Sequence, residues 1–304
     1  MHKAHLSKQR AHDYILETMT SSDVSRPVVF ITGASAGIGA AAVGIFAAAG
    51  YDVVFGARRF DRLEKTRAAL APLFPNAKLI PVTCDVNSDA SVQAAFEQVR
   101  SAYGRLDVLV NNAGYGMYGS VEATSLQAYR DNMETNFIGV IRCTQAALPL
   151  LRAAATTSKR RWGAAIVMVS SVVGRRAIPG LSGYSASKFA LEALSESLRV
   201  ELHDERISVS VINPGVTQTE FVSAAHGQRP KSFLSPNNGM TPEAVARVIL
   251  QAVRKPKRNR YLTLAGKAGV LGEWLCPSVV DRVLVSSWRK ARGEKTAAPA
   301  TPAE

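Results

Sequence analysis

The residues whose types and spacing could do chemistry are Tyr184 and Lys188, with Ser171 thirteen residues upstream of the tyrosine. Two residues four positions apart on a helix share one face, so the lysine ammonium would lie beside the tyrosine phenol. A free phenol has a pKa of about 10. A neighbouring positive charge favours the phenolate and lowers that value. The spacing alone is weak evidence, because a helix with one aromatic residue and one solvated lysine shows the same pattern.

Strands and helices alternate along the chain from Pro27 onward. Short apolar runs rich in β-branched residues predict buried parallel strands. They occupy residues 28–31, 53–55, 79–82, 106–110, 165–169 and 207–212, with helical segments between them such as 62–71 and 91–103. This alternation predicts an α/β fold, a Rossmann-type doubly wound parallel sheet with helices on both faces.

A glycine-rich turn, Thr32-Gly-Ala-Ser-Ala-Gly-Ile-Gly39, separates the first strand from an alanine-rich helix that ends near Ala49. Gly33 permits a tight turn, and Gly37 and Gly39 let the backbone approach a pyrophosphate and let the helix pack on the strand. The helix N-terminus supplies free N–H groups and a partial positive charge. The spacing differs from the commoner Gly-x-Gly-x-x-Gly, and a tight turn without a ligand stays the alternative.

The end of the second strand decides which dinucleotide would fit this turn. An acidic residue there binds a ribose 2′-hydroxyl, whereas a basic residue accommodates a 2′-phosphate. The strand is followed by Arg58 and Arg59, and Asp52 lies at its start, too early to reach the ribose. We therefore expect NADP(H) rather than NAD(H), with Arg58 on the phosphate and Ser35 or Arg59 beside it. The alternative is a solvated loop arginine, partly neutralised by Asp61.

With these motifs in order, the chain resembles the short-chain dehydrogenase/reductase family, in its larger single-domain type, over about residues 27–265. The likeness is carried by the turn 32–39, Asp85-Val86, Asn111-Asn-Ala-Gly114, Asn136, Ser171, Tyr184, Lys188 and Pro214-Gly-Val-Thr-Gln-Thr219. The resemblance implies that the cofactor is bound by Gly33, Ser35, Gly37, Ile38, Gly39, Arg58, Asp85, Val86, Asn112, Ala113, Gly114, Tyr184, Lys188, Pro214, Gly215, Val216 and Thr219.

The resemblance also implies a catalytic tetrad of Tyr184, Lys188, Ser171 and Asn136. Tyr184 would exchange a proton with the substrate oxygen as hydride moves at the nicotinamide. Lys188 would lower the pKa of the phenol and bond the nicotinamide ribose, and Ser171 would hydrogen-bond the substrate oxygen. Asn136 would hold a water that links Lys188 to solvent. The simpler alternatives are a helix cap or strand-end hydroxyl for Ser171 and a helix kink for Asn136.

Composition limits the other classes of function. The 304 residues carry a formal net charge of +13, which makes nucleic acid the obvious rival partner. The basic residues are dispersed or gathered near the C-terminus, as in 254–260, without a Cys/His finger or an aromatic-rich RNA motif. We therefore expect no nucleic-acid binding. Three cysteines far apart in sequence argue against disulfides and a metal site, and with no apolar signal core they favour a cytoplasmic protein.

The chain divides into one large domain with two flanking segments. We expect a polar extension over residues 1–25, the dehydrogenase/reductase domain over 26–265, and a C-terminal helical extension with a disordered tail over 266–304. Within the domain, the substrate loop of the family falls at 216–240. Its Gly, Ser, Pro and Asn content is typical of a mobile lid.

The substrate side is mostly apolar. By analogy with the family, the pocket would be faced by Tyr115, Met117, Tyr118, Ile178, Pro179 and Leu181. No arginine is placed to clamp a carboxylate, which favours a lipophilic ketone or alcohol, such as a steroid-like, retinoid-like or long-chain acyl compound. The alternative is that these residues only pack the lid.

Two short helices are predicted in the extension, over 266–275 and 277–288. The second carries apolar residues near one stripe with basic residues around it: Val279, Val280, Val283, Leu284, Trp288, Arg282, Arg289 and Lys290. We expect this stripe to pack on the domain or on a partner subunit, and attachment to an acidic membrane surface is the minority interpretation. By the resemblance, a homodimer or homotetramer would form through the helices around 125–150 and 184–203.

These expectations combine into an NADP(H)-dependent oxidoreductase that interconverts a hydroxyl and a carbonyl on a mostly apolar small molecule. A 3-oxoacyl thioester reductase is the alternative within enzymes, since a basic surface could attract an acidic carrier protein. A non-catalytic NADP(H)-sensing protein on the same fold is the alternative from another class. The intact tetrad speaks against that sensor.

Overall fold

Within the part of the chain that the structure describes, seven parallel strands form one central sheet. The computed structural model describes residues 26–158, 161–220, 227 and 239–291. The strands are β1 (Val28–Thr32), β2 (Asp52–Ala57), β3 (Leu79–Thr83), β4 (Val108–Asn111), β5 (Ala164–Val169), β6 (Ile207–Asn213) and β7 (Asn259–Tyr261). Their order across the sheet is β3-β2-β1-β4-β5-β6-β7, and every pairing is parallel. The predicted doubly wound fold is confirmed.

Helices connect the strands and extend the chain beyond the sheet. They are α1 (Gly37–Ala48), α2 (Phe60–Leu70), α3 (Asp89–Tyr103), α4 (Leu126–Met133), α5 (Gly139–Thr157), α6 (Ser182–Glu201), α7 (Pro242–Arg254), α8 (Leu264–Leu275) and α9 (Pro277–Ala291). A π-helix, Glu134–Ile138, joins α4 to α5. The continuous helix 126–157 is long and apolar enough to cross a membrane, but half of its most apolar window is buried, as is common for a core helix.

Each face of the sheet carries its own core, because successive side chains of a strand point to opposite faces. On β1, Val28 and Phe30 join the core beneath α3, α5 and α6, while Val29 and Ile31 join the core beneath α1, α2 and α7. All four side chains are fully buried. Burying a side chain of this size contributes about 1.5–3 kcal/mol, so burial on both faces explains why β1 carries no charged side chain.

The direction of winding changes beside β1. The chain runs from β1 to β2 and β3 on one side, and then returns to place β4 on the other side of β1. In a doubly wound sheet a crevice forms at the carboxyl ends of the strands at such a switch point. The end of β1 leads into the glycine turn, so the fold places that turn at the crevice.

Two cysteines that are far apart in sequence are neighbours in the fold. Cys84 follows β3 and Cys143 lies on α5, and both are buried free thiols. The pKa of Cys143 is raised by its hydrogen bond to Cys84 and by burial. Distance along the sequence was therefore no guide to their separation in space.

Candidate functional site

A cleft of about 690 Å³ opens at the carboxyl ends of the strands, beside β1 and β4. Its volume lies within the range of small-molecule sites. The chain enters the cleft wall immediately after β1, β4, β5 and β6, so residues distant in sequence meet there. The sheet therefore positions every strand-end motif around one space.

Most of the predicted site residues line this cleft. They are Gly33, Ser35, Gly37, Ile38, Arg58, Asp85, Val86, Asn112, Ala113, Gly114, Ser171, Tyr184, Lys188, Pro214, Gly215, Val216 and Thr219. Two predicted residues, Gly39 and Asn136, are buried behind the wall instead. A Cβ at Gly39 would lie 2.5 Å from the Gly33 carbonyl oxygen. Gly39 thus allows α1 to pack closely on the turn.

The glycine turn presents backbone rather than side chains to the cleft. Gly33 has a φ of +67° and Gly37 a φ of +57°, in the left-handed region that glycine adopts without strain. Helix α1 begins at Gly37, and its N-cap residue Ala36 makes no side-chain cap hydrogen bond. The first N–H groups of the helix therefore have no cap side chain competing for them. An exposed helix N-terminus of this kind fits the pyrophosphate of a dinucleotide.

Substitution of Gly33 tests the close packing of this turn. A Cβ there would lie 2.7 Å from the Ala113 Cα and 3.0 Å from the Ala113 nitrogen. Gly104 has nearly the same φ, +64°, but nothing lies within 4 Å of its Cβ position. We expect Gly33→Ala to destabilise the fold by about 1–3 kcal/mol more than Gly104→Ala, since both add left-handed strain and only Gly33 adds crowding.

Chemical denaturation of the two variants measures this difference directly. The control separates the strain of a left-handed alanine from the effect of contact with the neighbouring backbone. Equal losses of stability in the two variants would show that the turn has room to relax.

The corner beside the end of β2 is basic. Arg58, Arg59 and Ser35 all line the cleft there, and the Arg59 Nη2 donates to the Ser35 hydroxyl at 3.0 Å. Asp52 is buried at the start of β2 and pairs with Arg26 at 3.2 Å, away from this corner. An acidic residue that the sequence did not indicate, Glu220, reaches the same corner. It pairs with Arg62 at 2.7 Å and lies 3.9 Å from Arg59.

The expected cation, phenol and hydroxyl meet at the other end of the cleft. Tyr184 and Lys188 lie on the first turns of α6, and the Lys188 Nζ is 5.8 Å from the centre of the Tyr184 ring. The Lys188 ammonium donates to the Val169 carbonyl at 2.9 Å, at the end of β5. The Ser171 hydroxyl forms a hydrogen bond with the Tyr184 phenol. The end of β5 and the start of α6 thus place the polar groups of Ser171, Tyr184 and Lys188 on one wall of the cleft.

Burial controls the protonation of this pair. It raises the pKa of Tyr184, and the hydrogen bond with Ser171 opposes the shift only in part. Burial also lowers the pKa of Lys188 to about 8, while the charge of Glu192 acts in the opposite direction. The pKa of Tyr184 is thus raised in the protein alone, with desolvation as the largest cause, and the expected lowering of that pKa by Lys188 stays a prediction.

Asn136 lies in the π-helix and is fully buried. Its amide nitrogen donates to the Tyr115 carbonyl at 3.0 Å and to the Ser187 hydroxyl at 3.0 Å, while its oxygen accepts from the Tyr115 nitrogen at 3.0 Å. A Cβ at Gly114 would lie 2.9 Å from the Asn136 Oδ1 and 3.7 Å from the Lys188 Nζ. Asn136 thus fixes the strand-end segment against α6. The helix distortion falls at the predicted catalytic position, and π-bulges are frequent at functional sites.

The sequence of this chain is similar to those of known proteins. The model of the family described as "short chain dehydrogenase" matches residues 27–229. The chain belongs to the short-chain dehydrogenase family. It is 34% identical over 277 residues to dehydrogenase/reductase SDR family member 7B of Mus musculus, covering 88% of this chain and 83% of that protein. It is 33% identical over 290 residues to the SDR family protein 7-like of Anopheles gambiae, covering 92% and 87%.

Solved structures of short-chain dehydrogenases share the fold. An alcohol dehydrogenase from Thermococcus sibiricus, in complex with 5-hydroxy-NADP, superposes with a TM-score of 0.67 at 29% identity, covering 79% of this chain and 96% of that one. A short-chain dehydrogenase from Streptomyces avermitilis gives a TM-score of 0.71 at 30% identity, covering 90% and 100%. The protein is accordingly an oxidoreductase of this family with a Rossmann-type nucleotide-binding fold.

One buried carboxylate behind the dehydrogenase cleft was not predicted from the sequence. Glu192 lies one helical turn after Lys188 on α6 and is 3% exposed. It pairs with Arg175 at 2.8 Å. In the amide orientation that satisfies its neighbours, Asn213 donates to Glu192 at 2.7 Å and to the Ser171 carbonyl at 2.9 Å. The sequence did contain a signal for Glu192, because it lies four residues after Lys188 and the two side chains therefore share one face of the helix.

The expected substrate-side residues that line the cleft are mainly apolar and aromatic. Those described are Tyr115, Tyr118, Val172, Val173, Ile178, Pro179 and Leu181. Met117 does not line the cleft, contrary to expectation. It is buried behind Tyr184 and Val173, and a Cβ at Gly183 would collide with its side chain. Most of the expected lid, 221–226 and 228–238, lies outside the described residues.

Proposed function

We propose that this short-chain dehydrogenase is an NADP(H)-dependent oxidoreductase that interconverts an alcohol and a ketone or aldehyde on a mostly apolar small molecule. The observation that carries the proposal is the hydrogen-bonded pair of Tyr184 and Ser171, on a cleft wall shared with the glycine turn. A hydroxyl pair of this kind can hold a carbonyl oxygen and give it a proton.

Each residue of this cleft wall would have its own role in the reaction. A bound nicotinamide supplies or accepts hydride. The raised pKa of Tyr184 keeps its phenol protonated at neutral pH, which is the state needed to donate a proton to a carbonyl oxygen. Ser171 would hydrogen-bond the same oxygen and orient it. The Lys188 ammonium would stabilise the negative charge left as the phenol gives up its proton.

The preference for NADP(H) rests on the basic corner. Arg58 and Arg59 present guanidinium groups to the cleft, which suit a phosphate through charge-assisted hydrogen bonds. Ser35 adds a hydroxyl held against Arg59. Two structural relatives were solved with NADP or a derivative of it, the Thermococcus sibiricus enzyme and a dehydrogenase from Shigella flexneri at 27% identity.

The lipophilic substrate class is supported by the described lining near Tyr184. The side chains of Tyr118, Val172, Ile178, Pro179 and Leu181 in the cleft lining are aliphatic or aromatic, whereas Arg58 and Arg59 line the cleft just after β2. Burial of apolar substrate surface against such walls would supply most of the binding free energy.

Turnover with NADPH on a panel of carbonyl compounds tests this function. The panel should hold apolar cyclic ketones, long-chain aldehydes and 3-oxoacyl thioesters, each at equal concentration. We expect the apolar ketones or aldehydes to be reduced, and a preference for the thioesters would favour the reductase alternative. NADPH binding without oxidation by any member of the panel would instead indicate a cofactor-sensing protein.

We expect the buried Glu192 to affect the pH dependence of kcat/KM. Its charge raises the pKa of Lys188, which burial sets at about 8, so the ammonium is lost as pH rises through that value. We expect kcat/KM for ketone reduction to fall on the alkaline side. We also expect Glu192→Gln to move this fall to lower pH, because the neutral amide stabilises the ammonium less.

The matched control is Glu196→Gln. Glu196 also pairs with Arg175 at 2.8 Å, but it is on the surface. Its removal should leave the pH profile in place. An unchanged profile in Glu192→Gln, or an equal shift in both variants, would rule out this electrostatic role.

A further inference from the structure

The helical extension formed by α8 and α9 is set apart from the two sheet cores. None of the residues of α8 is buried. The extension contacts the domain through two features. A Cβ at Gly266 would lie 2.6 Å from the Val172 Cγ1, and Arg176 pairs with Glu273 at 2.9 Å and with Asp281. The extension is therefore held on the domain, and its outer surface has a defined position.

Large apolar side chains cover one side of α8. Leu264, Leu271, Trp274 and Leu275 are 83%, 57%, 82% and 59% exposed. At 100° per residue these four positions fall within about a 100° arc of the helix. The exposed Lys267 lies on the same arc. A contiguous apolar surface of this kind marks an interaction site rather than chance exposure.

Basic side chains flank the exposed apolar residues of α9. Val279 and Val283 are 54% and 60% exposed, and Arg282, Arg289 and Lys290 are exposed beside them. The expected packing stripe is thus divided: Val280, Leu284 and Trp288 turn inward, and the two valines turn outward. The acidic residues Glu273 and Asp281 are both paired with Arg176. The outer surface of the extension is therefore apolar and positively charged.

We propose that this outer surface of α8 and α9 docks the protein on an anionic lipid bilayer. Helices that lie in the membrane interface combine exposed Trp and Leu with Lys and Arg in this way. Each basic residue near an anionic bilayer strengthens binding by about fivefold. The helices have 12 and 15 residues, shorter than the roughly 20 residues that a membrane-spanning helix needs. The surface therefore fits attachment to the bilayer, not insertion across it.

A second copy of the chain fits this surface less well. In a two-fold symmetric interface the same patch faces itself, so Arg282, Arg289 and Lys290 would approach their own equivalents. Like charges brought together in an interface are unfavourable. Anionic headgroups instead neutralise these side chains, while acyl chains cover Trp274 and Leu271.

Vesicle flotation of the full chain tests the proposal without using turnover, so its outcome is independent of the ketone assay. We expect binding to vesicles of phosphatidylglycerol and phosphatidylcholine and little binding to phosphatidylcholine alone. The triple variant Arg282→Glu, Arg289→Glu, Lys290→Glu should bind on the order of 100-fold more weakly. The pair Leu271→Ser, Trp274→Ala should lose about tenfold or more.

Matched controls come from elsewhere on the surface. Arg254→Glu, Lys255→Glu, Lys257→Glu reverses three exposed charges near the end of α7, and Leu73→Ser, Val121→Ser removes two apolar side chains that are 67% and 71% exposed. Both controls should retain binding to anionic vesicles. The proposal is overturned if wild type does not bind, or if the control triple loses as much binding. It is also overturned if light scattering without vesicles shows self-association that Leu271→Ser, Trp274→Ala abolishes.

Discussion

Replacement of Tyr184 by Phe is expected to lower kcat/KM for carbonyl reduction by about 10² to 10⁴-fold, the range that general acid–base catalysis contributes. The substitution keeps the buried ring and its packing against Met117 and Val173. It removes only the hydroxyl that is hydrogen-bonded to Ser171. The affinity for NADPH should stay nearly unchanged, because the glycine turn and the basic corner are untouched.

Tyr118→Phe is the matched control for this experiment. Tyr118 lines the same cleft and lies close enough to influence the pKa of Tyr184. Its loss should change kcat/KM by less than about tenfold, since a residue that only packs on the substrate contributes modestly. Both variants are measured for NADPH affinity by fluorescence titration and for initial rates with the best ketone of the panel. Comparable losses in the two would show that Tyr184 is not the proton donor.

The nucleotide half of the site could be predicted because its determinants are local. A buried β-branched run, glycines with a required left-handed φ and an alanine-rich helix follow one another directly in sequence. Parallel strands end at one edge of the sheet, so the strand-end motifs at Asn112 and Ser171 had to meet the glycine turn. The structure brings them together for this reason.

Other features depend on pairings that no local pattern shows. The edge strand β7 consists of Asn259, Arg260 and Tyr261, without an apolar run, and it forms through backbone pairing with the end of β6. The π-helix at Asn136 depends on side-chain bonds to Tyr115 and Ser187, which come from separate segments. Helix α7 does have a local sequence signal, because the Thr241 side chain caps its N-terminus by accepting a hydrogen bond from the Ala244 N–H. This helix was nevertheless not predicted from the sequence.

The protonation of Tyr184 and Lys188 could not be predicted from the sequence in the same way. Spacing on a helix predicted the proximity of Lys188 to Tyr184, and the structure has it. The sign of the pKa shift depends on how deeply both groups are buried, which spacing does not reveal. The same burial explains why Glu192 matters, because a carboxylate 3% exposed acts on Lys188 through a medium of low dielectric constant.

Removal of the Arg58 guanidinium is expected to weaken NADPH binding by about 10 to 100-fold, since a hydrogen bond to a charged group contributes about 1.5–3 kcal/mol. NADH lacks the 2′-phosphate, so its affinity should change by no more than about threefold, because at this exposed corner only screened charge remains to act on it. The variant is Arg58→Ala, and dissociation constants for both dinucleotides come from the same fluorescence titration. Arg58 is exposed at the cleft corner, so its loss should not disturb the fold.

Two further variants locate the phosphate more finely. Arg62→Ala is the control, because Arg62 lies on the same edge but is bound to Glu220 at 2.7 Å, and its loss should leave the ratio of NADPH to NADH affinity nearly constant. Arg59→Ala removes the group that is already held by Ser35 at 3.0 Å. If Arg59→Ala reduces NADPH affinity more than Arg58→Ala, the phosphate lies between Ser35 and Arg59. Equal losses of NADPH and NADH affinity in Arg58→Ala would remove the phosphate assignment, because an arginine that reads the 2′-phosphate must distinguish the two dinucleotides.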